Sequence, residues 1–153
     1  MSNELQVVGF RIGRECFALP ISAVHEIVRP PEITAVPHAP EYVEGVINLR
    51  GRIVPVIDLR RRFGEVRIEN TRKNRILVVD SEGRLVGLLV DAASEVLKLA
   101  PAQIEPPPNV LDDGDSTYVT GVAKHQGRLI LLVDLKKILQ RGELARAVVS
   151  SSS

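Results

Sequence analysis

An all-β fold is predicted by three features of this 153-residue chain. Its apolar runs are short, rich in Val, Ile and Leu, and recur about every ten residues between turn signals, the pattern of a barrel or sandwich. Helical periodicity is scarce. The chain also nearly repeats itself. The stretch from Gly45 to Arg60 returns as Gly121 to Lys136, 76 positions further on. The copies share Gly45/Gly121, Val46/Val122, Gly51/Gly127, Arg52/Arg128, Asp58/Asp134 and Leu59/Leu135.

Ten runs read as strands: Leu5–Ile12, Cys16–Leu19, Val24–Val28, Gly45–Leu49, Ile53–Ile57, Ile76–Val79, Leu85–Val90, Glu95–Leu99, Tyr118–Ala123 and Leu129–Val133. Gly13-Arg14, Arg50-Gly51, Glu82-Gly83 and Gln126-Gly127 fit the two-residue turns of hairpins, where glycine accepts a positive φ. A short helix is expected from Asp58 to Phe63, with Asp58 as cap and Gly64 as stop. Its copy starts at Asp134 and ends near Gly142. The two aspartates read as N-caps rather than as a catalytic pair. Pro55 lacks a donor for a ladder, so an edge or a bulge is expected there.

The repeat extends upstream, where Phe17–Val28 aligns with Val86–Leu97 at a separation of 69. The seven extra residues of the second half fall around 101–115, a stretch rich in Pro and Asp that reads as a surface loop. The expected organisation is one domain over 1–146, made of lobes of about 1–68 and 72–142 with strands open to exchange, followed by a frayed tail at 147–153. Ile53–Ile57, Leu85–Val90 and Leu129–Val133 are apolar without alternation, which calls for burial on both faces. Two fused barrels, each with its own core and a third core between them, would provide that burial.

Composition excludes several functions. A net charge of +1 gives no field that draws a chain onto nucleic acid or an anionic membrane. Aromatics at 3%, with no Trp, leave little to stack bases on. Cys16 is the only cysteine, so no internal disulfide forms, and a buried, inert thiol in a reducing compartment is expected. No signal-peptide pattern opens the chain, and no apolar run nears the roughly 20 residues that span a bilayer, so a cytoplasmic protein is expected.

No chemistry stands out. His25, His38 and His125 lack partners at ligand spacing, and phosphate loops, nucleophile elbows and dinucleotide fingerprints are missing. No catalytic residue, metal or cofactor is therefore expected. Arg60-Arg61-Arg62, with Arg72, Lys73 and Arg75, reads as a solvated helix face and linker. Two charges interrupt apolar segments: Glu26 in the third strand and Arg50 in the turn where the copies differ most, Asn48-Leu49-Arg50 against Lys124-His125-Gln126. Arg50 is either a solvated turn residue or an anchor for a partner's carboxylates or carbonyls.

The run from Ala39 to Arg60, with its Asn48-Leu49-Arg50-Gly51 turn, resembles the signature of CheW, the chemotaxis coupling family. So do Phe17–Ile27, Leu85–Asp91 and Tyr118–Val122, and the likeness covers about residues 5 to 140. It implies two intertwined five-stranded SH3-like β-barrels with a shared hydrophobic zone and a few short helices. It implies a non-catalytic adaptor that links the cytoplasmic tips of chemoreceptors to the regulatory domain of the histidine kinase CheA, recruited to membrane arrays through these partners. Carried over residue by residue, receptor binding falls to Val24, Glu26, Asn48, Leu49 and Arg50, and Gly45, Gly51, Gly87 and Gly121 become structural glycines of that architecture. An adaptor of a non-flagellar pathway, such as twitching, would share these features. A small-barrel nucleic-acid binder is the remaining alternative.

Overall fold

The computed structural model describes residues 3–65, 67–107 and 118–139. The distal part of the 101–115 stretch, the helix end near Gly142 and the tail lie outside the described residues. Eleven strands run as β1 (Leu5–Ile12), β2 (Glu15–Pro20), β3 (Val24–Val28), β4 (Val43–Leu49), β5 (Arg52–Asp58), β6 (Arg75–Ser81), β7 (Arg84–Val90), β8 (Ala92–Leu99), β9 (Ile104–Glu105), β10 (Val119–His125) and β11 (Arg128–Val133). Among the described residues two short α-helices follow strand ends, α1 (Leu59–Arg62) and α2 (Leu135–Leu139). The ten sequence-read runs are all strands, and the two-residue β9 is the addition.

The hairpin turns follow the expected chemistry. At Arg50-Gly51, Glu82-Gly83 and Gln126-Gly127 both residues have positive φ, as a type I′ turn requires. At Gly13-Arg14 only Gly13 does. Asp58 Oδ1 accepts from the Arg60 amide and Asp134 Oδ1 from the Lys136 amide, so both aspartates cap their helices.

The strands form two sheets, of six in the order β8-β1-β2-β11-β10-β9 and of five in the order β3-β6-β7-β5-β4. Neither is contiguous in sequence. Hairpin β1–β2 joins the sheet otherwise built from residues beyond 92, and hairpin β6–β7 joins the sheet of β3 to β5. The repeat accounts for this. Val78↔Gly87 in one sheet corresponds to Gly9↔Ala18 in the other, at the separation of 69. The parallel pair Val56↔Gly87 corresponds to Leu132↔Ala18. The isolated bridge Thr34↔Val46 corresponds to the β9 pairing Glu105↔Val122. The molecule is a pseudo-dimer in which each half lends a hairpin to the other.

Two expectations about the sheets are corrected. The sheets are open rather than closed barrels: no ladder joins β3 to β4 or β8 to β9. Pro55 lies in an interior strand rather than at an edge, and it is tolerated because the ladder of β5 with β7 begins one residue later, at Val56.

Three hydrophobic clusters form. The largest lies between the sheets and takes Val8, Phe10 and Leu19 from one and Ile57, Leu77 and Leu88 from the other. A second is enclosed by the five-stranded sheet around Ile47, Val54 and Ile76, and a third by the six-stranded sheet around Val7, Ala123 and Ile130. Continuous apolar strands such as Val86–Val90 are buried on both faces because each separates two cores. Phe10, Phe17, Phe63 and Tyr118 form a row in the shared core, with ring centroids 5.7, 5.0 and 4.7 Å apart. Tyr42 also packs there, so all five aromatics are committed to folding.

A buried cation fastens one end of this interface. Arg60 is 2% exposed, against the expectation of a solvated helix face. Its Nε and Nη2 donate to the two carboxylate oxygens of Asp58 at 2.9 and 3.1 Å. Nη1 donates to Asp91 Oδ1 and the Glu69 carbonyl, and Nη2 also to Asn70 Oδ1. All five guanidinium hydrogens are thereby used. Asp91 extends the network into the other sheet: its Oδ2 accepts from the Gly13 amide at 2.7 Å and its own amide donates to the Arg11 carbonyl. Burial works against the charge of Arg60, but hydrogen bonds and attraction from Asp58 and Asp91 outweigh it and hold the pKa above the ordinary arginine value. Arg60→Ala leaves two carboxylates without their cation and is expected to cost about 3–5 kcal/mol in urea unfolding. Arg60→Lys, the residue of the other copy, cannot fork onto both and is expected to recover only part of that loss.

Gly87 marks where the two sheets trade volume. A Cβ there would stand 2.8 Å from Ile76 Cγ2. The corresponding pair in the other sheet is Val7 and Ala18, one methylene smaller on one side and one methyl larger on the other. Gly87→Ala is expected to destabilise by about 1–3 kcal/mol from overpacking. Adding Ile76→Val recreates the Val7–Ala18 pair and is expected to restore most of that loss. Urea midpoints of the two single variants and the double variant give the coupling.

Candidate partner-binding site

The Arg50 guanidinium pairs with the Glu26 carboxylate. The two residues come from opposite ends of the five-stranded sheet. Glu26 is on β3, one edge, and Arg50 is in the turn leaving β4, the other edge. Their contact requires the sheet to curl until its edges approach. Val28 and Ile33 pack against the enclosed cluster. The ion pair therefore lies across the mouth of the curled sheet. Arg50 is 67% exposed and Glu26 25%.

Local chemistry sets Arg50 in place. Its φ of 49° is one that side-chain-bearing residues adopt reluctantly. The turn is held by the Asn48 side chain, whose Oδ1 accepts from the Gly51 amide at 2.8 Å. Asp80 does the same for Gly83 in the β6–β7 hairpin. Lys124 stands where Asn48 would be in the second copy and offers no acceptor. Asn48 is thus a turn lock as well as a surface residue. Leu49 is 8% exposed and belongs to the enclosed cluster. Val24 is partly buried against the shared core. Of the five sequence-read binding residues, Glu26, Asn48 and Arg50 reach the surface together, while Leu49 and Val24 support them from below.

The glycines act in different ways. At Gly45, with φ +149°, a Cβ would fall 2.2 Å from the Thr34 carbonyl oxygen, and the β4 register slips beside it. Gly121 has the same bulge, with Glu105 O at 3.3 Å. Gly51 faces open space and is needed for its φ of +86°. Sequence reading missed the Glu26–Arg50 pairing and the Arg60–Asp91 hub. The available signal was departure from the repeat: Arg60 becomes Lys136, Asp91 becomes Ser22, and Arg50 becomes Gln126.

Among the described residues no group of three His, Cys, Asp or Glu is placed to hold a metal ion. Two curled sheets around a shared core, with an exposed ion pair at the mouth of one, define a two-lobed β protein whose distinctive surface is suited to contact. Residues 6–143 match the family model for the CheW-like domain. The chain is 39% identical over 138 residues to the chemotaxis protein CheW of Rhizobium meliloti, covering 90% of this chain and 89% of that protein. It is 38% identical over 138 residues to the chemotaxis protein CheW of Helicobacter pylori, covering 90% and 82%. The crystal structure of the scaffolding protein TtCheW from Thermoanaerobacter tengcongensis superposes with a TM-score of 0.82 at 38% identity, covering 92% of this chain and 95% of that one. The chain belongs to the CheW-like domain family. It is a chemotaxis adaptor, a scaffold rather than an enzyme.

The turn lock is directly testable. Asn48→Ala removes the acceptor of the Gly51 amide and is expected to cost about 1 kcal/mol. It should also abolish exchange protection at that amide while leaving the Gly83 amide, held by Asp80, protected.

Proposed function

We propose that this adaptor couples the cytoplasmic tips of chemoreceptors to the regulatory domain of the histidine kinase CheA, and that the Glu26–Arg50 mouth is its receptor contact. In this reading it works in the cytoplasm, at membrane arrays reached through its partners. The observation that carries the reading is the exposed ion pair on the turn where the two copies diverge. An exposed pair of this kind is worth about 0–1 kcal/mol within the protein. Arg50 can therefore be taken over at little cost by carboxylates or carbonyls of a partner. A receptor's helical hairpin tip would gain affinity by laying an apolar face against the lobes, with Arg50 fixing its register. Exposed Ile27 and Ile53 on the neighbouring strands supply apolar surface for that contact.

We read each curled sheet as an SH3-like barrel left open at a seam, the two fused as one domain through residue 146. Glu26 orients Arg50, Asn48 fixes its turn, and Leu49 and Val24 anchor the strands that carry them. Gly45, Gly51, Gly87 and Gly121 keep the backbone spacing these positions need. The absence of an exposed stacking platform disfavours the nucleic-acid alternative, because every aromatic packs in or against the shared core.

Binding of a receptor cytoplasmic fragment by calorimetry tests the proposal. Arg50→Glu is expected to weaken it by about tenfold or more. The double swap Glu26→Arg with Arg50→Glu restores an ion pair across the mouth, so it should recover stability without recovering affinity. Wild-type affinity in the single and double variants would remove Arg50 from the contact.

A further inference from the structure

The six-stranded sheet has a mouth corresponding to the one that carries Glu26 and Arg50. In the five-stranded sheet that mouth is filled: Leu49 is buried, and Val28 and Leu85 pack with it. The repeat places Leu97, Cys16 and His125 at the matching positions, with Gln126 in place of Arg50. Exchanging Leu49 and Leu85 for His125 and Cys16 removes apolar filling. A cavity of about 670 Å³ opens there, lined by Phe17, Cys16, Leu97, Ile130, Arg11 and Arg128 among others. Cys16 is half-buried at this mouth rather than fully enclosed, and His125 is likewise half-buried.

We propose that this second mouth is a docking site for a short partner segment bearing an aliphatic side chain beside a carboxylate. The aliphatic requirement is read from the molecule itself, because the matching mouth is filled by the side chain of Leu49. The carboxylate requirement comes from Arg11 and Arg128, both exposed and without an ion-pair partner among the described side chains. A protein segment is favoured over a free small anion because Val96 and Leu129 expose 47% and 60% of their surface on the strands that flank the cavity. They are the counterparts of Ile27 and Ile53 beside the first mouth. The adaptor then has two pseudo-equivalent contact ends, one closed by its own leucine and ion pair, the other completed by its partner.

The experiment is an amide-shift titration of the full chain with acetyl-Asp-Leu-Leu-Asp-amide and, separately, acetyl-Lys-Leu-Leu-Lys-amide. The acidic peptide is expected to give saturable shifts at Cys16, Leu97 and residues 125–128, with the basic peptide about tenfold weaker or worse. Arg11→Glu with Arg128→Glu should reverse that preference while keeping a folded spectrum. His125→Leu, which refills the mouth, should abolish binding. Arg50→Glu should leave it unchanged, so this site stands or falls apart from the receptor contact. Equal response to both peptides, no saturation at millimolar peptide, or shifts confined to the Glu26–Arg50 mouth would overturn the proposal.

Discussion

Two short parallel pairings, β2 with β11 and β5 with β7, determine the rest of the molecule. Each joins a hairpin from one half of the chain to a hairpin from the other. Parallel neighbours cannot be joined by a tight turn, so the intervening chain must cross over. Between β2 and β11 it crosses by building the whole five-stranded sheet, and between β5 and β7 it passes through α1 and β6 of that same sheet. The central strands are then covered on both faces, by the enclosed core on one side and the shared core on the other. That is why Leu85–Val90 carries no polar alternation, and why neither lobe can be cut out as a contiguous piece. Most pairings between halves are far apart in sequence, so folding must close long loops before contacts compensate for them.

Strand positions and turns were legible because local chemistry sets them. A Gly at a left-handed turn position, an Asp before a helix and a β-branched run each point to one conformation. The exchange of hairpins was not legible, because an apolar face records that it is buried but not by which half. Arg60 was illegible for a related reason. In sequence it looks like Arg61 and Arg62. It is buried because Asp91 and the 69–70 backbone and side chain converge on it from a distance. Closure was misread because apolar periodicity constrains faces and leaves edges free. The five-stranded sheet curls far enough for Glu26 to meet Arg50, yet its edges are bridged by side chains rather than by a ladder.

The proposed contacts fall at departures from the repeat rather than at its identities. The shared positions maintain two similar sheets. The differences are compensated in pairs, as in Ile76 with Gly87 against Val7 with Ala18. Others create asymmetry: one end has the Arg60 hub where its counterpart among the described residues has the Asp134 cap and Lys136, and one mouth holds Leu49 where the other holds His125. A pseudo-symmetric frame with unlike ends can meet unlike partners, which a coupling protein needs.

Rigidity explains how such a protein works with modest contacts. Arg50 is held at a positive φ by a turn that Asn48 and Gly51 fix, so its backbone has little freedom left to lose on binding. Arg50 is the exposed member of a weak surface pair, so exchange of Glu26 for an external acceptor costs it little. In the proposed receptor contact, affinity would then come from apolar surface such as Ile27 and Ile53, and clustering of adaptors would raise effective concentration so that weak contacts suffice. A buried, fully bonded Arg50 would be a stronger structural element and a poorer contact. The chain has such an arginine in Arg60, which is buried and linked through Asp91 to the other sheet.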